Sequence, residues 1–281
     1  MIRRNRQAHP SIGHTDAMIV ADLHVHTTAS DGWFTLSTLV KTAAAADIEA
    51  VAVTDHDLPH PDLKQPVTSM EGVTVIHGIE LRVEADGTGR FDILGFGLSE
   101  TPSLRHLVDD IQSDRTRRAA VMVDLVEDVT GVSIEVPIGP GVGRPHIARA
   151  IADHPDLNYS FQGAFDHLIG ADGPCYVARS VPSYEHGVEV LRNACRLVGL
   201  AHPLRYRNPP AVIERTTDLD IIERWYPYRT DVDQSVVSRT IQTHDLLPTG
   251  GSDAHDDQLG RAGLSRPAFD RFCDRFNQAT E

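Results

Sequence analysis

The sequence predicts an α/β protein in which strands and helices alternate, arranged as a β/α barrel or a doubly wound sheet. Three observations lead there. Short apolar runs recur along the chain, helical stretches separate them, and several runs stop at histidines or carboxylates, as strands do where their C-terminal ends carry chemistry.

The first run is Ile19-Val20-Ala21-Asp22-Leu23-His24-Val25-His26, a buried strand that ends in polar residues. An alanine-rich helix follows over Thr35 to Asp47, with Thr35 as its N-cap. Ala50-Val51-Ala52-Val53-Thr54 is a second strand, which runs into Asp55-His56-Asp57, and Val73 to Ile79 is a third, closed by Glu80.

Ser103 to Val129 then carries Leu104, Leu107, Val108, Ile111, Met122 and Leu125 at helical spacing. Pro137 to Gly143 is a turn-rich loop, and Arg144 to Asp153 resumes as a helix with Pro145 in its first turn. Residues 102–180 are therefore expected to be a mostly helical insertion. It would separate a first barrel part, 18–101, from a second, 181–281, after a loose N-terminal tail at 1–17. The second part holds a helix from Ser183, the strand Leu197 to Ala201 ending at His202, and a strand from Leu219 to Glu223. A helix from Asp231 and a short strand leading to Gly250-Gly251-Ser252-Asp253 complete it.

With 281 residues, 41% of them hydrophobic and 23% charged, the chain has ample material for a core. No run approaches the roughly 20 apolar residues of a membrane span, and the opening residues lack the apolar stretch of a signal peptide, so the cytoplasm is the expected location. Cys175, Cys195 and Cys273 show no close spacing, which argues against a disulfide framework or a thiolate zinc site. A net charge of -14 would repel a nucleic-acid backbone and excludes general duplex binding, but it leaves room for a small phosphorylated substrate. Lys41 and Lys64 are the only lysines. An acidic chain short of lysine points to a halophilic, salt-accumulating host, where ionic strength screens self-repulsion.

His24 and His26 alternate about one residue, so on a strand both face the same way and can offer two imidazoles to one ion. Asp31, His56, Glu80, His202, Asp253 and His255 each lie at or just beyond the end of an expected strand. Asp55 and Asp57 could orient the His56 ring, or cap the turn that follows. Gly250 and Gly251 would let the backbone come close to a crowded centre. His60, His77, His106, His154, His167, His186 and His244 lack such company and read as structural or surface residues.

Taken together, Asp22-Leu23-His24-Val25-His26, Ser30-Asp31-Gly32, Thr54-Asp55-His56-Asp57, Gly78-Ile79-Glu80, Ala201-His202-Pro203 and Gly251-Ser252-Asp253-Ala254-His255 resemble the polymerase and histidinol phosphatase (PHP) family. Gly143-Arg144-Pro145-His146 and Ala201-His202-Pro203-Leu204-Arg205-Tyr206 are similar to the branch acting on nucleoside 3',5'-bisphosphates and, from the 5' end, on short oligoribonucleotides. The resemblance implies a distorted seven-stranded β/α barrel with two or three divalent ions (Mn, Fe or Zn). By matching motif, His24, His26, Glu80 and Asp253 would hold the first ion, and Asp31, His56 and His255 the second. Glu80 would bridge to a third ion with His202 and Asp92. Asp92 stands where close relatives carry a histidine, so the third ion would meet a harder ligand or a weaker or empty site.

The reaction implied is hydrolysis of a phosphate ester by attack of a metal-bridging hydroxide. Arg144 and Arg205 could hold the phosphate, a guanidinium matching its geometry; a solvated helix end and an ion pair are their plainer roles. His146 could contact the substrate, donate a proton to the leaving oxygen, or pack the insertion onto the barrel. Two other readings are an amidohydrolase-type metal hydrolase and a non-catalytic metal-binding PHP module. Many of the first bridge two ions with a carboxylated lysine on a strand, and Lys41 and Lys64 fall in a helix and a loop. The second would not need open coordination positions. Oligomeric state has no signature in the sequence.

Overall fold

The computed structural model describes residues 18–279, and the tail expected at 1–17 lies outside them. Nine strands pair into one sheet: β1 (Ile19–Val25), β2 (Ala50–Val53), β3 (Val67–Met70), β4 (Val73–Ala85), β5 (Gly89–Phe96), β6 (Leu197–Leu200), β7 (Ile221–Trp225), β8 (Leu247–Gly250) and β9 (Leu264–Ser265). Their order is β8-β7-β6-β5-β4-β2-β1-β9, with β3 flanking β4. Strands β1, β2 and β4 run parallel, as do β6, β7 and β8, while β5 is antiparallel to both neighbours.

The sheet curls until β1 meets the residues after β8. The Asp253 N–H donates to the His24 carbonyl at 2.8 Å, and the His26 N–H to the Ala254 carbonyl at 3.2 Å. The result is a nearly closed, barrel-like sheet. It counts nine strands where seven were expected, because β3 (four residues) and β9 (two residues) also pair with it.

β4 departs from expectation in a way that matters for the site. It does not stop at Glu80 but runs 13 residues to Ala85. Its first part pairs with β2 and its second with β5, setting Glu80 opposite Leu94 and Arg82 opposite Asp92. The alternation explains this: Ile79, Leu81, Val83 and Ala85 all pack into one apolar cluster, so the strand continues while Glu80 and Arg82 face the other side. Glu80 is thus an inward residue of a continuing strand.

The helices are α1 (Leu36–Ala45), α2 (Pro102–Thr130), α3 (Arg144–Asp153), α4 (Phe161–Ala164), α5 (Tyr184–Ala194), α6 (Pro209–Arg215), α7 (Ser235–His244) and α8 (Arg266–Gln278). Thr35 caps α1 by accepting from the Thr38 N–H at 3.2 Å, as the sequence predicts. α2 ends at Gly131, whose φ of 70° is the left-handed value that glycine adopts without steric cost. Three apolar clusters support the sheet. A fourth draws only on residues from Ala119 to Val177 and joins α2, α3, α4 and the π-helical turn Phe165–Ile169. No described helix is long and apolar enough to cross a membrane.

Candidate metal centre

Parallel strands bring their C-terminal ends to one side of a barrel, and the candidate ligands collect there. His24 lies on β1 with His26 just after it, His56 follows β2, Glu80 is inside β4, His202 follows β6, and Asp253 and His255 follow β8. The crossing is tight. A Cβ at Gly251 would collide with the backbone nitrogen of His24, so only glycine allows this approach. Asp57, His202 and Asp253, in the segments that follow these strands, have positive φ (60°, 26° and 49°), as do Asp47, Glu71 and Asp245 away from the cluster.

Glu80 sits at the middle, 1% exposed. One of its oxygens lies 2.8 Å from His202 Nε2 and 3.4 Å from His24 Nε2; the other lies 2.7 Å from His56 Nδ1 and 3.5 Å from His26 Nε2. Asp253 Oδ1 stands 3.1 Å from His26 Nε2 and 3.5 Å from His24 Nε2. Asp31 Oδ1 stands 3.4 Å from His255 Nε2 and 3.8 Å from His56 Nε2. Three sets of ligand atoms converge closely enough to share an ion: His26, Asp31, His56 and His255; His24, His202 and Asp253; and His24, His26 and Glu80. Glu80, Asp92 and His202 form a fourth. All nine residues singled out from the sequence as ligands therefore meet in one place.

Buried polar atoms normally have partners, because leaving one unpaired costs on the order of 1–3 kcal/mol. Here His24 Nε2, both ring nitrogens of His26, Asp31 Oδ1, Glu80 Oε2 and Asp253 Oδ1 are buried without a hydrogen bond. Imidazole and carboxylate lone pairs left unpaired and aimed at one another are a fit for divalent cations. The electrostatics agree. Burial opposes ionisation of Glu80, yet His56 and His24 overcome it and hold its carboxyl well below the usual range. Burial also opposes a charge on His56, but Glu80 and Asp31 raise it to about 9. His26 is pushed down to about 4 by burial, with His255 and His56 adding to it. Several anions thus share a few protons at positions where cations would satisfy them better.

The sequence missed the residues that hold this cluster. Glu223, on β7 and 1% exposed, faces His24 Nδ1 at 3.0 Å with one oxygen and accepts from the His202 N–H at 2.7 Å with the other. It was legible only as the end of a strand. Asp55 and Asp57 do not hydrogen-bond the His56 ring. Asp55 accepts from the Thr27 N–H and hydroxyl and from the Ser30 hydroxyl, pinning the loop that carries Asp31. Asp57 accepts from Arg115 and Arg179 and from the Arg82 N–H.

Beside Asp31 and His56 opens a cavity of about 310 Å³ into which seven arginines face, including Arg115, Arg118, Arg144 and Arg179. The Arg144 guanidinium carbon lies over the Phe165 and Tyr176 rings, 5.6 and 5.7 Å from their centroids, with no carboxylate partner among the described residues. Arg205 pairs with Asp253 Oδ2 and donates to the Tyr226 hydroxyl, both at 3.0 Å. His146 lies outside the cavity lining; its Nδ1 accepts from the Gly143 N–H at 3.2 Å at the start of α3. Arg115 and Arg118 had a sequence signal, two arginines three apart on an otherwise apolar helix face. Arg179, in a loop, had none.

A model of the PHP domain matches residues 22–193, more than half of the chain. The chain belongs to the PHP domain family. Among its relatives, this PHP protein is 29% identical over 251 residues to a phosphoribosyl 1,2-cyclic phosphate 1,2-diphosphodiesterase of Eggerthella lenta, covering 84% of this chain and 94% of the relative. It is 24% identical over 266 residues to the 5'-3' exoribonuclease Rnm of Escherichia coli, covering 88% and 90%. A 3',5'-nucleoside bisphosphate phosphatase of Chromobacterium violaceum is 27% identical over 210 residues, covering 69% of this chain and 70% of the relative. The fold is shared with a solved amidohydrolase from Chromobacterium violaceum, with a TM-score of 0.73 at 22% identity over 91% of this PHP chain and 96% of that one.

Proposed function

We propose that this PHP protein is a metal-dependent phosphoric ester hydrolase acting on a nucleoside 3',5'-bisphosphate or a short oligoribonucleotide. The observation that carries the reading is the arginine-lined cavity beside the ligand cluster, in a chain whose net charge is -14. Concentrating guanidinium groups in one cavity of an acidic protein favours an anion with more than one negative group, and a planar guanidinium suits phosphate. The relatives named for nucleotide and oligoribonucleotide substrates support the same class.

In this reading His24, His26, Glu80 and Asp253 would hold one divalent ion, and Asp31, His56 and His255 a second. Such ions, when bound, take up phosphoryl charge and make water nucleophilic near neutral pH. Mn, Fe and Zn all suit this mixed imidazole and carboxylate set. Glu223 fixes the His24 ring by its Nδ1, leaving Nε2 to face the centre. Arg144, its guanidinium lying over the Phe165 and Tyr176 rings, has the donors to grip a phosphate with two hydrogen bonds. Arg205, steadied by Asp253 and Tyr226, offers its remaining N–H groups to the same anion. His146 serves the start of α3, and its Nε2 carries the proton in the neutral ring because Nδ1 accepts.

We also read residues 102–180 as a helical insertion between barrel parts 18–101 and 181–281; the separate apolar cluster supports this for Ala119 to Val177, while Leu104, Leu107 and Ile111 of α2 pack with the sheet. An amidohydrolase bridged by a carboxylated lysine is disfavoured, since Lys41 and Lys64 are both exposed and outside the cluster. The reading includes work in the cytoplasm of a halophilic host; an unfolding midpoint that fails to rise between low and molar KCl would remove the salt element.

The deciding assay is phosphate release, with Mn added, from nucleoside 3',5'-bisphosphates, a 5'-phosphorylated oligoribonucleotide and an aryl phosphate. Turnover should favour the nucleotides and vanish after exhaustive chelation. Metal bound without turnover of any ester would point instead to a non-catalytic module.

A further inference from the structure

Asp92 was expected to hold a third ion with Glu80 and His202, and its surroundings do not fit that duty. Both of its oxygens are taken: Arg82 donates from Nε to Oδ1 at 2.7 Å and from Nη2 to Oδ2 at 2.6 Å, a two-pronged pair between directly opposed residues of β4 and β5. The Asp92 N–H donates to the Tyr206 hydroxyl at 2.9 Å, which fixes the backbone as well. His202 is paired at both ring nitrogens, with Tyr206 at Nδ1 (3.1 Å) and Glu80 at Nε2 (2.8 Å). The buried atoms left without hydrogen bonds include those of His24, His26, Asp31, Glu80 and Asp253, and none belongs to Asp92 or His202.

We propose that the Arg82 guanidinium occupies the cationic position of a third ion, so that this chain holds two ions and a fixed arginine that binds the substrate phosphate. The pairing with Asp92 uses two of the five N–H donors of Arg82 and leaves three for an anion. The side chain of Arg82 is 41% exposed while that of Asp92 is 2% exposed, and Arg82 lines the same cavity as Arg144 and Arg179. Asp92 therefore acts as a positioning residue: it aims the fork of Arg82 into the cavity without touching substrate. Arginine stays charged at any working pH, so this cation is neither lost to chelators nor exchanged between metals. The proposal rests on the reading of the cluster as a metal centre.

The test counts metal by elemental analysis after saturation with Mn and removal of excess, then measures inorganic phosphate binding to the loaded protein by calorimetry. The wild type should carry two ions per chain, and Asp92→Asn should also carry two. Arg82→Gln should keep two ions yet bind phosphate roughly ten- to hundred-fold more weakly, with Arg82→Lys between, because a charged hydrogen-bond pair is lost in the first and only the fork in the second. A third ion in the wild type would overturn the proposal, as would unchanged phosphate binding in Arg82→Gln. If Asp92→Asn fails to fold, the wild-type count and the arginine variants still decide. A wild type that binds no ion would defeat the metal reading itself, a distinct outcome.

Discussion

The Asp22 carboxylate accepts from both the backbone N–H and the hydroxyl of Ser252, at 2.8 and 2.6 Å. It also accepts from the Gly260 N–H at 2.9 Å, tying β1 to the segment after β8 where the barrel closes. Asp22→Ala would leave these buried donors unpaired. The expected loss is about 3 kcal/mol of unfolding free energy, read by chemical denaturation, with weakened metal binding because Ser252 precedes Asp253. A variant as stable as the wild type would show that the seam does not depend on this carboxylate.

Glu223 touches two of the clustered histidines and is not itself among the converging ligand atoms. Glu223→Gln keeps the size and removes the charge that supports the His24 ring. Metal affinity should fall by roughly 10- to 100-fold, measured by competition with a coloured chelator. An unchanged dissociation constant would mean that His24 is oriented by packing alone.

Arg144 has aromatic faces on its guanidinium and no carboxylate competing for it among the described residues. If Arg144 grips the substrate phosphate as proposed, Arg144→Ala should raise KM for a nucleoside bisphosphate by about ten-fold or more while changing kcat less, since such a contact would be made in the ground state as well as in the transition state. Arg144→Lys should recover only part of the loss, because the fork is gone. A fall in kcat with KM unmoved would argue against a binding role.

His77, 4% exposed, gives a pH dependence that is independent of any metal. Burial, with the charge of His60 adding to it, holds its imidazole down at about 4 from the ordinary 6.5. The unfolded chain takes up this proton below about 6.5, whereas the folded chain resists until about 4. The stabilisation is therefore complete above 6.5 and is lost as pH falls through that window, by up to about 3 kcal/mol. Denaturation of metal-free protein at pH 7 and pH 4.5 should show a smaller difference for His77→Phe than for the wild type; parallel behaviour would exclude His77 as the source.

Much of the candidate site was legible in the amino-acid sequence. Histidine and carboxylate side chains are common ligands of divalent ions, and one that sits at a strand end follows an apolar run, so His24, His26, His56, His202, Asp253 and His255 stand out by type and position together. Glu80 was found for its chemistry but assigned to a strand end; the continued alternation of Ile79, Leu81, Val83 and Ala85 shows why the strand goes on. That alternation also sets Glu80 and Arg82 on one face, a signal that was present and unread.

By itself the sequence determined the chemistry on offer and the succession of β1, β2, β4, β6, β7 and β8, because periodicity and residue type are local properties, while β3, β5 and β9 were not among the strands it marked. Only the tertiary structure decided which side chains share partners. Asp92 and Arg82 oppose each other through strand register, Glu223 of β7 reaches His24 of β1 past β8, and Arg115 and Arg179 converge on Asp57 from a helix and a loop. The physical reason is that these pairings depend on distances between segments far apart in the chain, which packing sets and no local pattern records.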